Sequence, residues 1–225
     1  MSKIKIYTFY TDSHEKLLND FFLPSVPDSF ETVVRHFPQE CPSGSFHGDG
    51  WMHTMRRKVE YVIEAIKDSM GSWFIHADCD IQFFGDFHDD IKSELSDFDI
   101  VAMDDNMLCA GFFACRATED TLELWEEILD KLEAFSNDQF AFNAGLIATK
   151  VLRYKTLPRF KYFNYMHTVG RDDVWNPSKT LHITRAQLDS ILVHHANYTI
   201  GVEDKIKMME IIRDDKAPNH NETAS

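Results

Sequence analysis

The chain has 225 residues, 44% of them hydrophobic and 13% aromatic, and a formal charge of −14. That much apolar side chain can bury the core of one domain, so disorder is excluded for its bulk. The acidic balance argues against nucleic acid and against an anionic membrane surface, both of which call for clustered Lys and Arg.

Lys3 to Tyr10 alternates in strand fashion from near the first residue, leaving no room for a signal peptide, and no run reaches the length of a membrane span. A soluble, cytoplasmic protein is therefore expected. Ser13 to Phe22 fits a short helix and Val33 to Phe37 a second strand, before a Gly/Ser/Pro-rich loop from Pro38 to Gly50. Met52, Met55, Val59, Val62, Ile63 and Ile66 recur at helical spacing, a stripe that would turn the basic knot Arg56-Arg57-Lys58 toward solvent. Trp73 to Ala77, Phe98 to Met103 and Ala110 to Arg116 read as strands. Thr118 to Phe135 reads as an amphipathic helix that Thr118 can cap. Asp138 to Lys150 predicts another helix, Ile191 to Ala196 a late strand and Glu203 to Ile212 a final helix. From Arg213 the chain turns polar, so one domain is expected over 1–212 and a flexible tail or linker over 213–225, where the sequon Asn221-Glu222-Thr223 is not expected to carry a glycan. Cys41, Cys79, Cys109 and Cys115 form no CxxC pair and read as reduced, buried thiols. The alternation of strand and helix predicts an α/β sheet with ligands beyond the carboxyl ends of its strands.

One such end carries Asp78-Cys79-Asp80, between the apolar runs Trp73–Ala77 and Ile81–Phe84. Carboxylates two apart on an extended backbone share a face and can share a hard divalent cation, which would in turn clamp a diphosphate. Capping of the turn would explain the same residues, but two charges between buried segments need a partner.

Taken in order, Asp78-Cys79-Asp80, Ala110-Gly111-Phe112-Phe113, Asn137-Asp138-Gln139 and His195-Ala196-Asn197-Tyr198 with Gly201 and Lys205 resemble the successive motifs of GT-A-fold nucleotide-sugar glycosyltransferases. The similarity spans Ile4 to Ile212 and is closest to the retaining, metal-dependent branch. It implies a Rossmann-like α/β fold with a mixed, mainly parallel sheet and helices on both faces, a divalent cation (Mn²⁺ or Mg²⁺), a UDP-sugar donor, and a glycan or glycoprotein acceptor. By the same resemblance Asp78, Asp80 and His195 are the metal ligands, with Asp78 also close to the ribose. Thr8 and Tyr10 hold the nucleoside, Arg57 contacts the nucleotide half, and Gly111, Asn197, Gly201 and Lys205 line the donor. Asp138 and Gln139 serve the reacting sugar. Core packing of Thr8 and Tyr10, a solvated face for Arg57, a packing contact at Gly111 and N-capping by Asn137 or Asp138 remain open as structural explanations. Phe140 stands where the family often has a second carboxylate.

Two alternatives accompany this expectation. The Asp-x-Asp loop also resembles the nucleophile loop of haloacid-dehalogenase-like phosphatases, although Gln82 stands where a Thr or Val is usual, and the chain could be a non-catalytic nucleotide-sugar or carbohydrate-binding module. Ser43–Trp51 and the stretch Phe160-Lys161-Tyr162-Phe163-Asn164-Tyr165 are candidates to frame an acceptor, since sugar faces stack on aromatic rings.

Overall fold

The structure, a computed structural model, describes residues 3–168 and 173–217. Its centre is a six-stranded sheet of β1 (Ile4–Tyr10), β2 (Phe30–His36), β3 (Trp73–Ala77), β5 (Ile100–Asp104), β6 (Leu108–Arg116) and β7 (Tyr154–Thr156), in the order β2-β1-β3-β6-β5-β7. β1 pairs in parallel with β2 and β3, and β5 with β7, whereas β6 runs antiparallel to both β3 and β5. A second, three-stranded sheet joins β4 (Ile81–Phe83), β9 (Val193–His195) and β8 (Tyr162–Asn164).

The central strands are buried on both faces, which is why β3 and β6 read as nearly continuous apolar runs. On one face lie three helices, α1 (Trp51–Asp68), α3 (Glu119–Lys131) and α4 (Asp138–Ala148). Their core includes Trp125, stacked between Phe113 at 5.2 Å and Phe142 at 4.9 Å. The other face is covered by the short helix α2 (His88–Glu94), by Leu18 and Phe22 and by the small sheet. Thr118 caps α3 as expected, accepting from Thr121 N.

The predicted helix at Ser13–Phe22 is instead a broken helical run from Asp12 to Ser25 that tightens to a 3₁₀ turn at its start and widens to a π turn over Leu18–Phe22. The final helices are α5 (Arg185–Ser190) and α6 (Val202–Lys216). Thus α6 continues past Ile212. Its Ile212 is buried, and Lys216 donates to the carbonyls of Leu188 and Ile191, so the chain stays docked for four residues beyond the boundary read from polarity alone. Residues 218–225, with the sequon, lie outside the described residues. Cys41, Cys79, Cys109 and Cys115 are all free and buried. No helix among the described residues is long and apolar enough to cross a membrane.

Candidate active site

The Asp-x-Asp turn leaves the carboxyl end of β3 and enters β4, and so stands where the two sheets meet. Each sheet delivers one neighbour to it. Reversed strand β6 places Gly111 alongside, with Asp78 N donating to Gly111 O at 2.8 Å. β9 pairs with β4 in the register Ile81↔His195, and Ala196 N donates to Asp80 O at 3.0 Å, which brings His195 to the turn. Asp78, Asp80 and His195 each offer a ligand atom, and these atoms all lie within 4.8 Å of one another. Period-two alternation sends the adjacent His194 to the opposite face, where Gln82 Nε2 contacts its Nδ1 at 2.9 Å.

Gly111 is required by its neighbours. A Cβ there would stand 2.5 Å from His195 Cε1 and 2.7 Å from Asp78 Oδ2, so the missing side chain is the space in which the histidine and carboxylate converge. A cradle of two carboxylates and an imidazole that a single methyl group would fill suits a hard or borderline divalent cation.

Neighbouring cations balance the carboxylates. Lys205 Nζ lies 2.6 Å from Asp80 Oδ2, and His195 Nε2 lies 3.3 Å from Asp80 Oδ1. Burial opposes ionisation of Asp80, but the Lys205 ammonium and the His195 ring overcome it and hold the carboxyl well below the usual carboxylate range. Lys205 also donates to Ala196 O at 3.1 Å. Gly201 opens α6 with φ +83 and ψ 161, a conformation essentially restricted to glycine, and this turn aims the helix that carries Lys205.

The basic knot resolves differently from the sequence expectation. Arg57 is half-exposed and pairs with Glu60 at 3.2 Å and Glu40 at 3.9 Å on the helix surface. The inward residue is Lys58. Its buried ammonium lies 2.9 Å from Asp78 Oδ1 and 3.0 Å from Asp138 Oδ2. Burial would discharge it, yet Asp138 and Asp78 more than compensate, and its pKa is raised. The apolar spacing predicts all three basic residues turned to solvent; that holds for Arg57 and fails for Lys58, which is buried beside Val59 at the edge of the stripe.

Asp138 is the buried first residue of α4, whose cap is its neighbour Asn137, accepting from Phe140 N. Gln139 Nε2 donates to Asp105 Oδ2 at 2.8 Å, while its Oε1 accepts from Ala110 N at 3.2 Å. Asn143, unremarked in the sequence, exchanges bonds of 3.0 and 2.8 Å with the backbone of Leu108. Two amides one helical turn apart thus fasten α4 to β6. Tyr198, part of the His195–Tyr198 motif but given no role from the sequence, donates through its Oη to Asp105 Oδ1 at 2.5 Å. Phe140 is 38% exposed.

Thr8 and Tyr10 lie at the end of β1, where Thr8 is fully buried and the Tyr10 ring lies tilted at 41° against His36 with centroids 4.9 Å apart. Among the described residues, Thr8 Oγ1 and Asn197 Oδ1 are buried polar atoms with no hydrogen-bond partner. Of the two aromatic stretches, Tyr162, Phe163 and Tyr165 are buried and belong to the core, which removes them as an acceptor platform.

A sequence model of the family described as nucleotide-diphospho-sugar transferase matches residues 39–209. Among solved structures, the chain is similar to the glycosyltransferase GlyE of Streptococcus pneumoniae TIGR4, with a TM-score of 0.60 and 12% identity, over 96% of this chain and 61% of that one. It is also similar to a glycosyltransferase involved in glycosylation of the major capsid of PBCV-1, with a TM-score of 0.58 and 9% identity, over 94% and 100% of the two chains. The galactosyltransferase LgtC, solved with donor and acceptor sugar analogs, gives 0.50 and 10% identity over 95% of each chain. The fold is therefore that of the GT-A glycosyltransferases, as the motif order implied. Comparison with curated protein sequences gives no match.

Proposed function

The chain belongs to the nucleotide-diphospho-sugar transferase family, and from that premise we propose that it is a metal-dependent glycosyltransferase that moves a hexosyl group from a UDP-sugar to a hydroxyl acceptor with retention of anomeric configuration. The observation that carries this reading is the convergence of Asp78, Asp80 and His195 on one point beside Gly111. These three residues would hold Mn²⁺ or Mg²⁺. A bound divalent cation neutralises charge that builds on the diphosphate as it leaves.

The chain's own residues account for the rest of the proposal. Lys205, 2.6 Å from Asp80 Oδ2, supplies a second positive charge for the departing diphosphate. The unpartnered Thr8 Oγ1 and Asn197 Oδ1 are buried atoms that a bound nucleotide would satisfy, which supports a donor site reaching from β1 to the turn after β9. Lys58 fixes Asp138 and Asp78 relative to one another, so the carboxylate assigned to the sugar hydroxyls is tied to the carboxylate assigned to the metal. Gln139 is held by Asp105 and Ala110, and Asp105 by Tyr198. Such pre-bonded groups need little reorganisation when charge develops at the anomeric carbon.

The family match sets aside the phosphatase alternative. Catalysis, as opposed to binding alone, is tested by incubating the protein with UDP-hexoses and Mn²⁺ and following UDP release. The expected result is slow donor hydrolysis that chelator abolishes, with a product whose first-formed anomer, read by NMR, keeps the donor's configuration. Inversion would reject retention, and UDP affinity unchanged by chelator would reject the metal site.

A further inference from the structure

Phe46, His47 and Trp51 form an aromatic cluster that the donor chemistry leaves unused. Their ring centroids lie 4.0 Å (46–47), 5.0 Å (46–51) and 4.8 Å (47–51) apart. Phe46 is nevertheless 59% exposed and Trp51 only half-buried. Rings packed on one another but open to water make a ready platform rather than a core.

Its position relates it to the site. Trp51 and Lys58 are both on α1, seven residues apart, so they share a helix face and are separated by about 10 Å along the axis. Lys58 meets Asp78 and Asp138, so Trp51 stands about two helical turns along α1 from the residue that holds the carboxylate assigned to the sugar. The loop before the helix has two further contacts with the site's surroundings. A Cβ on Gly44 would come within 2.4 Å of Ser13 Oγ and 3.4 Å of His14 Cε1, and one on Gly201 within 3.9 Å of Ser45 Oγ. His14 in turn is near enough to Lys205 that burial and this ammonium together lower its pKa. The loop therefore runs from the flank of Lys205 to the head of α1, with Phe46 between.

We propose that Phe46 and Trp51 are the acceptor subsite and that the acceptor is a saccharide, held by a pyranose face stacked on these rings. A pyranose presents C–H groups on its face and hydroxyls at its edge. The rings meet the first, and His53 and Glu40, which face one another at 4.0 Å beside the loop, meet the second. This inference rests on the glycosyltransferase reading. In the transfer, the acceptor oxygen bonds to the anomeric carbon as the bond from that carbon to the diphosphate breaks. The electron pair leaves with the diphosphate, and the hydroxyl proton passes to it or to water.

The test uses the full chain with Mn²⁺, a UDP-hexose that it hydrolyses, and a panel of methyl hexopyranosides as acceptors, with UDP release as the readout and UDP affinity measured separately by calorimetry. At least one methyl hexopyranoside should accelerate UDP release by the wild type. Phe46→Ala/Trp51→Ala should raise the KM for that acceptor on the order of tenfold, about 1.4 kcal/mol, with Trp51→Phe retaining most of the effect of the native ring and UDP affinity staying at its wild-type level. An unchanged acceptor KM overturns the proposal. So does a fall in UDP affinity, which would make the rings a base-stacking site, or a wild type that hydrolyses donor yet accepts no methyl hexopyranoside. A wild type that neither binds UDP nor hydrolyses any donor brings down the underlying glycosyltransferase reading instead, and the acceptor subsite with it.

Discussion

Lys58 Nζ lies 2.9 Å from Oδ1 of Asp78, and that same ammonium reaches Asp138, so a single buried cation joins the metal turn to the start of α4. Removing one partner of a buried ion pair leaves the other charge uncompensated. Lys58→Met should therefore destabilise the metal-free protein by about 3 kcal/mol, read as a lowered urea midpoint. Added Mn²⁺ should recover part of the loss, because the cation takes over the compensation of Asp78. A midpoint equal to the wild type's would mean that the ion pair contributes no net stability.

Gly111→Ala places a methyl group in the space where His195 and Asp78 converge. The expected outcome is a drop in Mn²⁺ affinity of tenfold or more by calorimetry, with a stability loss on the order of 1–3 kcal/mol as the ring and carboxylate move aside. Native affinity in this variant would show that the site relaxes at no cost to its geometry.

Cys109 Sγ lies 3.6 Å from His195 Nδ1 and accepts from Gly111 N at 3.4 Å. A partner on one ring nitrogen sets the tautomer and turns the other nitrogen toward a cation. Cys109→Ala should weaken Mn²⁺ binding by roughly tenfold while leaving the thermal transition of the metal-free chain nearly unchanged, and Cys109→Ser should retain most of the affinity. Equal affinities across the three proteins would confine Cys109 to packing.

Burial pushes the Cys115 thiol up to about 12. At pH 8 its thiolate fraction is on the order of one part in ten thousand. Cys115 should accordingly resist alkylation by iodoacetamide in the native protein and react promptly in urea, as peptide mapping would show. Labelling at the native rate of a free thiol would contradict the burial of β6.

Strands β3, β5 and β6 were legible because apolar residues fill both faces of a central sheet, and Trp73–Ala77 was bounded correctly on that pattern alone, whereas the three-residue strands β7 and β8 are too short to show one. The broken run from Asp12 to Ser25 was not, because hydrophobic spacing does not distinguish an α turn from the π turn around Leu18–Phe22 that docks both Leu18 and Phe22. Within the site, Asp78 and Asp80 were readable from their spacing at a strand end and His195 only through the resemblance to the family's motifs, and the structure brings the three side chains together. Lys58 was hidden by its own chemistry. Lysine is almost never buried without a partner, and its two partners, Asp78 and Asp138, lie on different elements whose approach no local pattern records. The same holds for Asp80. It is buried between Lys205 and His195, both more than a hundred residues away in sequence, so its removal should cost stability as well as metal.

Lys205 and Asp80 are 125 residues apart in sequence, and this separation governs the order in which the molecule can mature. The six strands of the central sheet are complete by Thr156, so a growing chain can assemble its scaffold while the aspartate still has no counter-charge. Closing so long a span is slow and entropically unfavourable until the late contacts form. Among the described elements the helix that carries Lys205 is the last in chain order, so the turn can be expected to gain its counter-charge only after the scaffold that surrounds it has formed.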